Sequence, residues 1–241
     1  MIDLHCHMLP GIDDGPDSMD ESLALAKLAV DGGITHSILT PHIHPGRWDN
    51  EALTIRSSME MFKKALSDHA IPLKVGMSGE MRVGLEALQM VANHQVPFLG
   101  RWADNYVVLL EMPHSHIPMG MQQMIQWLMQ RNIRPLIAHP ERNKDVLRRL
   151  DKIQPLVDAG CLFQVTSGSI AGRFGSTARD RARQLLEMGV VTVLATDAHN
   201  IKRRPPSLHE GRDAAAVIVG QDMAQKLVVD NPWKIVSCQF E

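Results

Sequence analysis

The feature that most constrains the fold of this chain is a regular alternation of short apolar runs with longer amphipathic stretches. Seven apolar runs have the length of β-strands, and segments with apolar residues at three- and four-residue spacing lie between them. The predicted strands are 1–4, 34–39, 73–78, 106–110, 134–138, 162–166 and 191–195. Strand–helix units repeated in this way predict an α/β fold with a parallel sheet, most simply closed as a barrel.

The amphipathic stretches between these runs are predicted helices. The first covers residues 22–30 and is followed by Gly32 and Gly33, the residue type at which helices commonly end. The other predicted helices are 52–66, 120–130, 144–159 and 178–188. Because no proline- or serine-rich linker, low-complexity stretch or charge block divides the sequence, we expect a single domain over residues 1–241.

The composition narrows the class of protein. Apolar residues make up 44% and charged residues 22% of the chain, as in average globular proteins. A net charge of -2 predicts no attraction to nucleic acid or to an anionic membrane. No apolar run approaches the roughly 20 residues that span a bilayer, and the first residues lack the pattern of a signal peptide. We therefore expect a cytoplasmic protein with no nucleic-acid partner and no membrane insertion.

Twelve histidines stand out in a chain that has one tyrosine. In a parallel α/β barrel, the reactive groups lie at the carboxyl ends of the strands and in the loops that follow. Six of the seven predicted strands are followed there by imidazoles or carboxylates: His5, His7, Asp13, Asp14, His42, His44, Glu80, Glu111, His139, Asp197 and His199. The sixth strand, which ends at Thr166, offers no obvious ligand. We expect these side chains to meet at one mouth of the barrel.

The spacing of these residues suits metal binding. Residues i and i+2 of an extended chain point to the same side, so His5 and His7 can hold one ion, and Asp197 and His199 repeat the spacing. Each group alone has a plain alternative, such as surface histidines, or a salt bridge or helix cap for a carboxylate like Glu80. The equivalent positions of all the groups at the strand ends favour a metal site.

The types of donor atom limit which metal ions the site would bind. Imidazole and carboxylate ligands without thiolate suit manganese, iron or zinc. Nine candidate ligands exceed the three or four that a single catalytic zinc uses. We therefore expect two to three divalent ions, with manganese preferred and iron or zinc as alternatives. Cys6, Cys161 and Cys238 form no CxxC or CxxxxxR motif, so neither a disulfide framework nor thiolate phosphatase chemistry is expected.

The motifs as a set resemble the polymerase-and-histidinol-phosphatase (PHP) superfamily of metal-dependent phosphoesterases. Within it, residues 1–15 (MIDLHCHMLPGIDDG) are similar to the opening of the bacterial capsule-biosynthesis protein-tyrosine phosphatases. The likeness continues in order through TPH (40–42), GE (79–80), LE (110–111), AHPER (138–142) and TDAHN (196–200). The resemblance implies a distorted (β/α)7 barrel with a trinuclear metal centre at the carboxyl ends of its strands.

The resemblance also implies roles for individual residues. It implies that one pair of ions is bound by His5, His7, Glu80 and Asp197. It implies that the other ligands of the three-metal centre are Asp14, His42, Glu111, His139 and His199, with Glu80 as a bridge. Its motif prefers Asp14 to Asp13, a choice that spacing alone does not make. It matches Arg142 and Arg204 to phosphate-binding arginines, with Arg203 as the alternative to Arg204. His42 and His199 border the site and are the candidates for a general acid.

The activity implied by the resemblance is hydrolysis of phosphotyrosine on a protein. Metal ions lower the pKa of bound water toward roughly 7, so a metal-bound hydroxide is the expected nucleophile. The expected substrate is a tyrosine autokinase that controls capsule or exopolysaccharide polymerisation, and homo-oligomerisation is left open. The alternatives are a small-molecule phosphomonoesterase, such as a histidinol-phosphate phosphatase, and a non-catalytic metal-bound scaffold.

Overall fold

A computed structural model describes residues 1–240 of the chain. Within these residues the strands are β1 (Ile2–Cys6), β2 (His36–Leu39), β3 (His42–Ile43), β4 (Lys74–Met77), β5 (Glu80–Arg82), β6 (Gly100–Trp102), β7 (Asn105–Glu111), β8 (Ile133–Ala138), β9 (Leu162–Thr166) and β10 (Val193–Ala195). The α-helices are α1 (Met19–Asp31), α2 (Ala52–Asp68), α3 (Leu85–Ala92), α4 (Met121–Met129), α5 (Lys144–Arg148), α6 (Gln154–Asp158), α7 (Ser167–Ile170), α8 (Ser176–Glu187), α9 (Leu208–Val219), α10 (Gln221–Gln225) and α11 (Asn231–Val236). Shorter turns of 3₁₀ helix lie at Pro140–Arg142, Leu150–Ile153 and Ser237–Gln239, and a π-helical turn lies at Lys226–Asp230.

The seven predicted strands are all present, with ends that differ by one or two residues. β1 runs on to Cys6, because the backbone N–H of Cys6 donates to the Thr40 hydroxyl and the Thr40 N–H donates to the Cys6 carbonyl. His5 therefore lies within the strand rather than after it. Beyond the second predicted strand the chain pairs again as β3, after the break at Pro41, whose nitrogen carries no hydrogen to donate.

The strands form parallel ladders in two sheets. One sheet has the order β1-β2-β4, and the other has the order β10-β9-β8-β7-β5-β3, while β6 pairs antiparallel with β7. A parallel bridge between Cys6 and Ala198 joins β1 to the residues that follow β10. The predicted parallel α/β architecture is confirmed. Closure into a (β/α)7 barrel and a single domain over residues 1–241 stay predictions.

Four of the five predicted helices are present as α1, α2, α4 and α8, extended or trimmed by a few residues. The prediction of one helix over 144–159 is wrong, because this stretch divides into α5, a 3₁₀ turn and α6. Arg149 between the first two has extended backbone angles, and Pro155 occupies the first turn of α6. Proline is tolerated there but not inside a helix, where its ring would clash with the preceding turn. None of the helices in residues 1–240 is both long and apolar enough to cross a membrane.

Two apolar clusters lie on the two faces of the strands. In β7, Val107 and Leu109 belong to the smaller cluster and Val108 and Leu110 to the larger one, as the alternation of a strand requires. Ile235 of α11 packs on the smaller cluster. Apolar side chains thus fix both faces of the strands, and the polar strand ends are left to form the candidate site.

Candidate metal centre and active site

The candidate site lies where the carboxyl ends of the parallel strands meet. The nine residues predicted as metal ligands form four overlapping groups, in each of which the donor atoms lie within 4.8 Å of one another. The groups are His7, Asp14, His42 and His199; His5, His7 and Glu80; His5, His139 and Asp197; and His42, Glu80 and Glu111. The structure therefore brings together every one of these residues from six separate segments of the chain.

The HxH pair at the end of β1 points into this cluster. The Nε2 atoms of His5 and His7 lie 3.2 Å apart, whereas the Cys6 thiol turns away and contacts the carbonyl of Ile38. The pairing of β1 with β2 is irregular between Asp3 and Cys6. His5 and His7 nevertheless point to the same side, as the alternation of an extended chain requires.

Glu80 is at the centre of the cluster and is 1% exposed. Its Oε2 atom lies 3.3 Å from Nε2 of His5, 3.4 Å from Nε2 of His7 and 2.9 Å from Nδ1 of His42. Its Oε1 atom lies 2.8 Å from Nε2 of His139. Burial alone would raise the pKa of Glu80, but the neighbouring imidazoles of His5 and His42 outweigh burial and hold this pKa well below its usual range. Both oxygens of one ionised carboxylate thus face several donor groups at once.

The two aspartates of the GIDDG motif have different surroundings. The Oδ1 atom of Asp14 lies 3.3 Å from Nε2 of His42 and 3.2 Å from Nε2 of His199. Asp13 lies behind the cluster, where its Oδ2 atom accepts a 2.6 Å hydrogen bond from Nδ1 of His7. The structure therefore places Asp14 among the candidate ligands and Asp13 in support of one of them.

Three of the imidazoles have the orientation that metal ligation requires. Nδ1 of His7 donates to Asp13, Nδ1 of His5 donates to Oε1 of Gln164 over 3.0 Å, and Nδ1 of His199 donates to the carbonyl of Asp197 over 2.9 Å. In each case Nε2 is left to face the cluster with its lone pair. Metal-binding histidines are commonly held by such a contact at the other ring nitrogen.

Several buried polar atoms in the cluster need a partner. Nδ1 of His42 lies 2.9 Å from Oε2 of Glu80, and Nε2 of His199 lies 3.2 Å from Oδ1 of Asp14, but within the described residues neither of these nitrogens nor the Glu80 oxygen has a partner with hydrogen-bond geometry. Buried polar atoms in native proteins are almost always satisfied, by protein groups, water or ions. Burial and the Arg142 guanidinium lower the pKa of His139 to about 3, which keeps this imidazole neutral. The donor types, the neutral imidazole and the unpaired atoms all fit divalent cations.

Two arginines border the cluster through Asp197. Nη1 of Arg142 donates to Oδ2 of Asp197 over 2.5 Å, and Nη2 of Arg204 pairs with the same oxygen. Burial opposes ionisation of Asp197, but these two guanidiniums outweigh it and hold its pKa well below the usual range. Arg203 lies outside this arrangement and lines a neighbouring groove with Asp17 and Glu21. Of the two adjacent arginines, Arg204 is therefore the one at the site.

Backbone conformation at two of these positions is unusual. His139 has a φ of 33° and Asp197 a φ of 53°, in the left-handed region that residues other than glycine seldom adopt. His139 follows the end of β8 directly, and Asp197 lies two residues after the end of β10. Such strain is often found at functional sites, where the surrounding structure enforces it.

The cluster opens into a cavity of about 280 Å³. Six of the nine candidate ligands and both arginines line it, together with His44, Arg47, Trp48, Arg82 and His114. Arg82 forms an ion pair with Glu111, with 2.8 Å between Nη1 and Oε2. The Trp48 indole stacks on the His42 ring, with 4.5 Å between centroids and an interplanar angle of 8°. The arrangement offers several cation ligands and a cationic rim, which together suit a phosphoryl group.

Sequence reasoning missed the residues that support the candidate ligands. Gln164 lies in the sixth predicted strand, where we expected no contribution, yet it holds His5 and accepts a 3.2 Å hydrogen bond from the backbone N–H of His139. A polar residue inside a fully buried strand was the signal that could have identified it. Nothing comparable in the sequence indicates that Trp48 and Arg82 line the site, because loops and strand ends often contain tryptophan and arginine.

Comparison with known proteins agrees with this geometry. The family model described as "Capsular polysaccharide synthesis, CpsB/CapC" matches residues 1–237. The chain is 37% identical over 204 residues to the tyrosine-protein phosphatase YwqE of Bacillus subtilis, covering 85% of this chain and 79% of that protein. It is 29% identical over 249 residues to the tyrosine-protein phosphatase CpsB of Streptococcus pneumoniae, covering both chains completely.

Solved structures extend the comparison. A structure from work on YwqE of Bacillus subtilis and CpsB of Streptococcus pneumoniae, described as metal-dependent tyrosine phosphatases, superposes with a TM-score of 0.91 and 33% identity over 99% of this chain and 95% of the other. A histidinol phosphate phosphatase from Lactococcus lactis has a TM-score of 0.57 and 14% identity over 90% and 93% of the two chains, which shows a shared fold alone. With its family model covering nearly all of its length, the chain belongs to the CpsB/CapC family of capsular polysaccharide synthesis.

Proposed function

We propose that this chain is a metal-dependent protein-tyrosine phosphatase, and that its substrate is a tyrosine autokinase controlling capsule or exopolysaccharide polymerisation. The observation that carries the proposal is a cluster of nine candidate cation ligands, six of which line one cavity together with two arginines. The names of the relatives support the reaction and the metal dependence. The proposal includes a cytoplasmic location.

The nine residues of the four donor groups would hold two to three divalent ions. Glu80 would be the carboxylate shared between ions, because Oε2 faces His5 and His42 while Oε1 faces His139. Mixed nitrogen and oxygen donors suit manganese, with iron and zinc as alternatives. Bound ions of this kind supply Lewis-acid chemistry, in which they lower the pKa of a bound water and neutralise phosphoryl oxygens.

The two arginines are proposed to bind the phosphoryl group. Arg142 and Arg204 meet at one oxygen of Asp197, so their guanidiniums are held side by side at the cavity wall. A guanidinium offers a planar pair of N–H donors that match two phosphoryl oxygens. We propose that both arginines hold the phosphoryl group during attack and stabilise the charge that it carries in the transition state.

His42 and His199 are proposed as ligands rather than as proton donors. Nε2 of each lies within 3.3 Å of Asp14, in one of the four donor groups. A nitrogen that binds a cation has no proton to give to the leaving phenolate. Phenolate leaves more readily than an alkoxide does, which reduces the need for a general acid in this reaction.

The two alternative functions are separated by one experiment. Protein purified without chelator is analysed for metal, and its kcat/KM is measured on a phosphotyrosyl peptide and on histidinol phosphate. We expect bound divalent metal and a clear preference for the peptide. A preference for histidinol phosphate would support the small-molecule phosphomonoesterase, and full metal content without hydrolysis of either compound would support the scaffold.

A matched pair of variants controls this experiment. Glu80→Gln removes the charge of the central carboxylate and is expected to lose metal and activity together. Glu60→Gln changes an exposed carboxylate on α2, 63% accessible, and is expected to behave as the wild type. Equal activity in the two variants would contradict a role of this cluster in the reaction.

A further inference from the structure

A groove of about 370 Å³ continues from the candidate site. Its lining residues are His114, Arg142, Leu147, Phe174, Ala178 and Arg204. Three of them, His114, Arg142 and Arg204, also line the cavity at the cation ligands. The groove and the cavity therefore share a wall, and this wall contains both of the arginines proposed to hold the phosphoryl group. The other three residues of the groove are apolar.

Phe174 forms the exposed aromatic part of the groove. Its side chain is 36% accessible, although large apolar residues normally gain from burial. The Arg142 guanidinium lies over its ring, 4.8 Å from the centroid. The ring also packs on Gly168, where an added Cβ would come within 3.1 Å of Cε2 of Phe174. An aromatic ring is thus held beside Arg142, one of the two arginines proposed to hold the phosphoryl group, and remains open to solvent.

The loop that contains Phe174 is held in place by contacts of the preceding residue, Arg173. The guanidinium of Arg173 forms hydrogen bonds to both carboxylate oxygens of Glu210 on α9, each over 2.6 Å from Nη2. The backbone N–H of Arg173 also donates to the carbonyl of Gly168 over 2.8 Å. Phe174 is therefore positioned before a substrate arrives, which reduces the entropy lost on binding.

Trp48, the aromatic residue that lines the cavity itself, has different surroundings. The His42 ring stacks on Trp48 with 4.5 Å between centroids, and the Arg47 guanidinium lies 4.0 Å from the indole centroid. Trp48 thus packs on a candidate metal ligand and lies among charged side chains, whereas Phe174 lies beside the apolar Leu147 and Ala178. The apolar wall next to the cavity is therefore the one at Phe174.

These contacts point to the occupant of the groove. The cavity is lined almost entirely by charged and imidazole side chains, which suit the phosphate of phosphotyrosine but not its phenyl ring. We propose that the ring of the phosphotyrosine substrate lies in the groove against Phe174 and Leu147, and that Phe174 is a specificity-determining residue for aromatic phosphates. The proposal rests on the proposed phosphatase function, and it adds the residue that selects the aromatic ester.

The test compares Phe174→Ala, Phe174→Leu and Phe174→Tyr in the metal-loaded enzyme. For a phosphotyrosyl peptide, we expect Phe174→Ala to raise KM about tenfold with little change in kcat, because the lost contact is present in both ground and transition states. Phe174→Tyr keeps the ring and should stay within about threefold of the wild type, with Phe174→Leu between the two. The inhibition constant of inorganic phosphate, which has no ring, should stay within about twofold in all three variants.

Ile201→Ala is the matched control. Ile201 is an exposed apolar residue, 51% accessible, that lines the neighbouring groove beside Arg203. We expect its KM for the peptide to equal that of the wild type. A rise in KM for Ile201→Ala as large as that for Phe174→Ala would place the ring elsewhere and overturn the proposal.

Two further outcomes would overturn the inference, and a third concerns the function itself. An unchanged KM for the peptide in Phe174→Ala would show that the phosphotyrosine ring does not contact Phe174. A parallel rise of the phosphate inhibition constant shows that Phe174 acts by holding Arg142 rather than by binding the ring. If the metal-loaded wild type does not hydrolyse the peptide, the proposed function fails before any variant is compared.

Discussion

The carboxylate of Asp13 accepts a 2.6 Å hydrogen bond from Nδ1 of His7, and this contact fixes which nitrogen of the imidazole faces the candidate metal centre. The same carboxylate accepts hydrogen bonds from the backbone N–H groups of His42 and Gly15. Asp13 thereby links the end of β1, the following loop and the start of β3. Its pKa is lowered below its usual value, because its interactions with the His7 ring and the hydrogen bond from the Gly15 backbone outweigh the effect of burial.

We predict that Asp13→Ala weakens metal binding. The variant leaves His7 free to rotate and removes a partner that raises the basicity of its ring, a change that typically costs about 10–100-fold in metal affinity. Metal content after dialysis against a series of free-metal concentrations is the measurement. Asp17→Ala, an exposed aspartate in the same loop, is the control and should bind metal as the wild type does. Equal affinities for the two variants would contradict the supporting role of Asp13.

Removal of metal should lower both activity and stability. A ligand that binds only the folded state stabilises it by about 2.7 kcal/mol when its concentration is 100 times its Kd. We therefore expect chelation to abolish hydrolysis and to lower the Tm, and manganese to be among the best ions for restoring both. Elemental analysis of fully active protein should find two to three ions per chain. One ion or fewer would contradict a multinuclear centre.

Much of the site could be predicted because the carboxyl ends of parallel strands lie at the same edge of a sheet. Once the apolar runs were assigned to parallel strands, the side chains after them had to converge at one edge, and the nine expected ligands do so. This reasoning required only that the strands be parallel, so an error of two residues in the end of β1 did not change the predicted site. The failed helix over 144–159 likewise left the site unaffected, because it follows His139 rather than carrying it.

The supporting residues could not be predicted, because their roles depend on distances between segments far apart in the chain. Gln164 holds His5 across 159 positions of sequence, and nothing in either segment alone indicates the pair. The adjacent arginines show the same limit. Arg203 and Arg204 are adjacent residues of the same type, so the sequence does not distinguish them. The backbone of the loop after His199 decides which one reaches Asp197, and in this loop the His199 N–H donates to the Arg204 carbonyl.

The cysteines should not be needed for turnover. Burial raises the pKa of the Cys161 thiol to about 12, so almost none of it is thiolate at neutral pH. Cys238 is exposed, and it lies in a 3₁₀ turn next to α11, outside the residues that line the cavity. Cys161→Ser and Cys238→Ser should both retain kcat/KM within about twofold of the wild type. Loss of activity in either variant, with metal content intact, would indicate a covalent mechanism.

Substitution of the two adjacent arginines should have unequal effects. Arg204→Ala removes a guanidinium that pairs with Asp197 and lines the cavity, so we expect kcat/KM for a phosphotyrosyl peptide to fall at least tenfold, by about 1.4 kcal/mol or more. Arg203→Ala removes a neighbouring charge of the same kind and should change the rate less than about threefold. The reverse order would exchange the roles of the two residues.

The last prediction concerns Arg142, which contacts Asp197 of the candidate metal centre and Phe174 of the neighbouring groove. Its guanidinium donates to Oδ2 of Asp197 and lies over the ring of Phe174, so its position is fixed on two sides. We expect Arg142→Ala to lower kcat/KM for a phosphotyrosyl peptide by about 10²-fold or more, a transition-state loss of about 2.7 kcal/mol. Arg142→Lys should also lower it, because a lysine offers a point charge in place of a planar pair of donors.

Metal content distinguishes this effect from damage to the centre. Oδ1 of Asp197 lies 3.3 Å from His5, on the side of the carboxylate away from Arg142, and Arg204 still pairs with Oδ2 when Arg142 is replaced. Both Arg142 variants should therefore keep the metal content of the wild type. Arg148→Ala removes an exposed guanidinium, 72% accessible, from the neighbouring helix α5 and is the control for loss of positive charge. If Arg142→Ala keeps its kcat/KM within a factor of about three of that control, Arg142 does not hold the phosphoryl group.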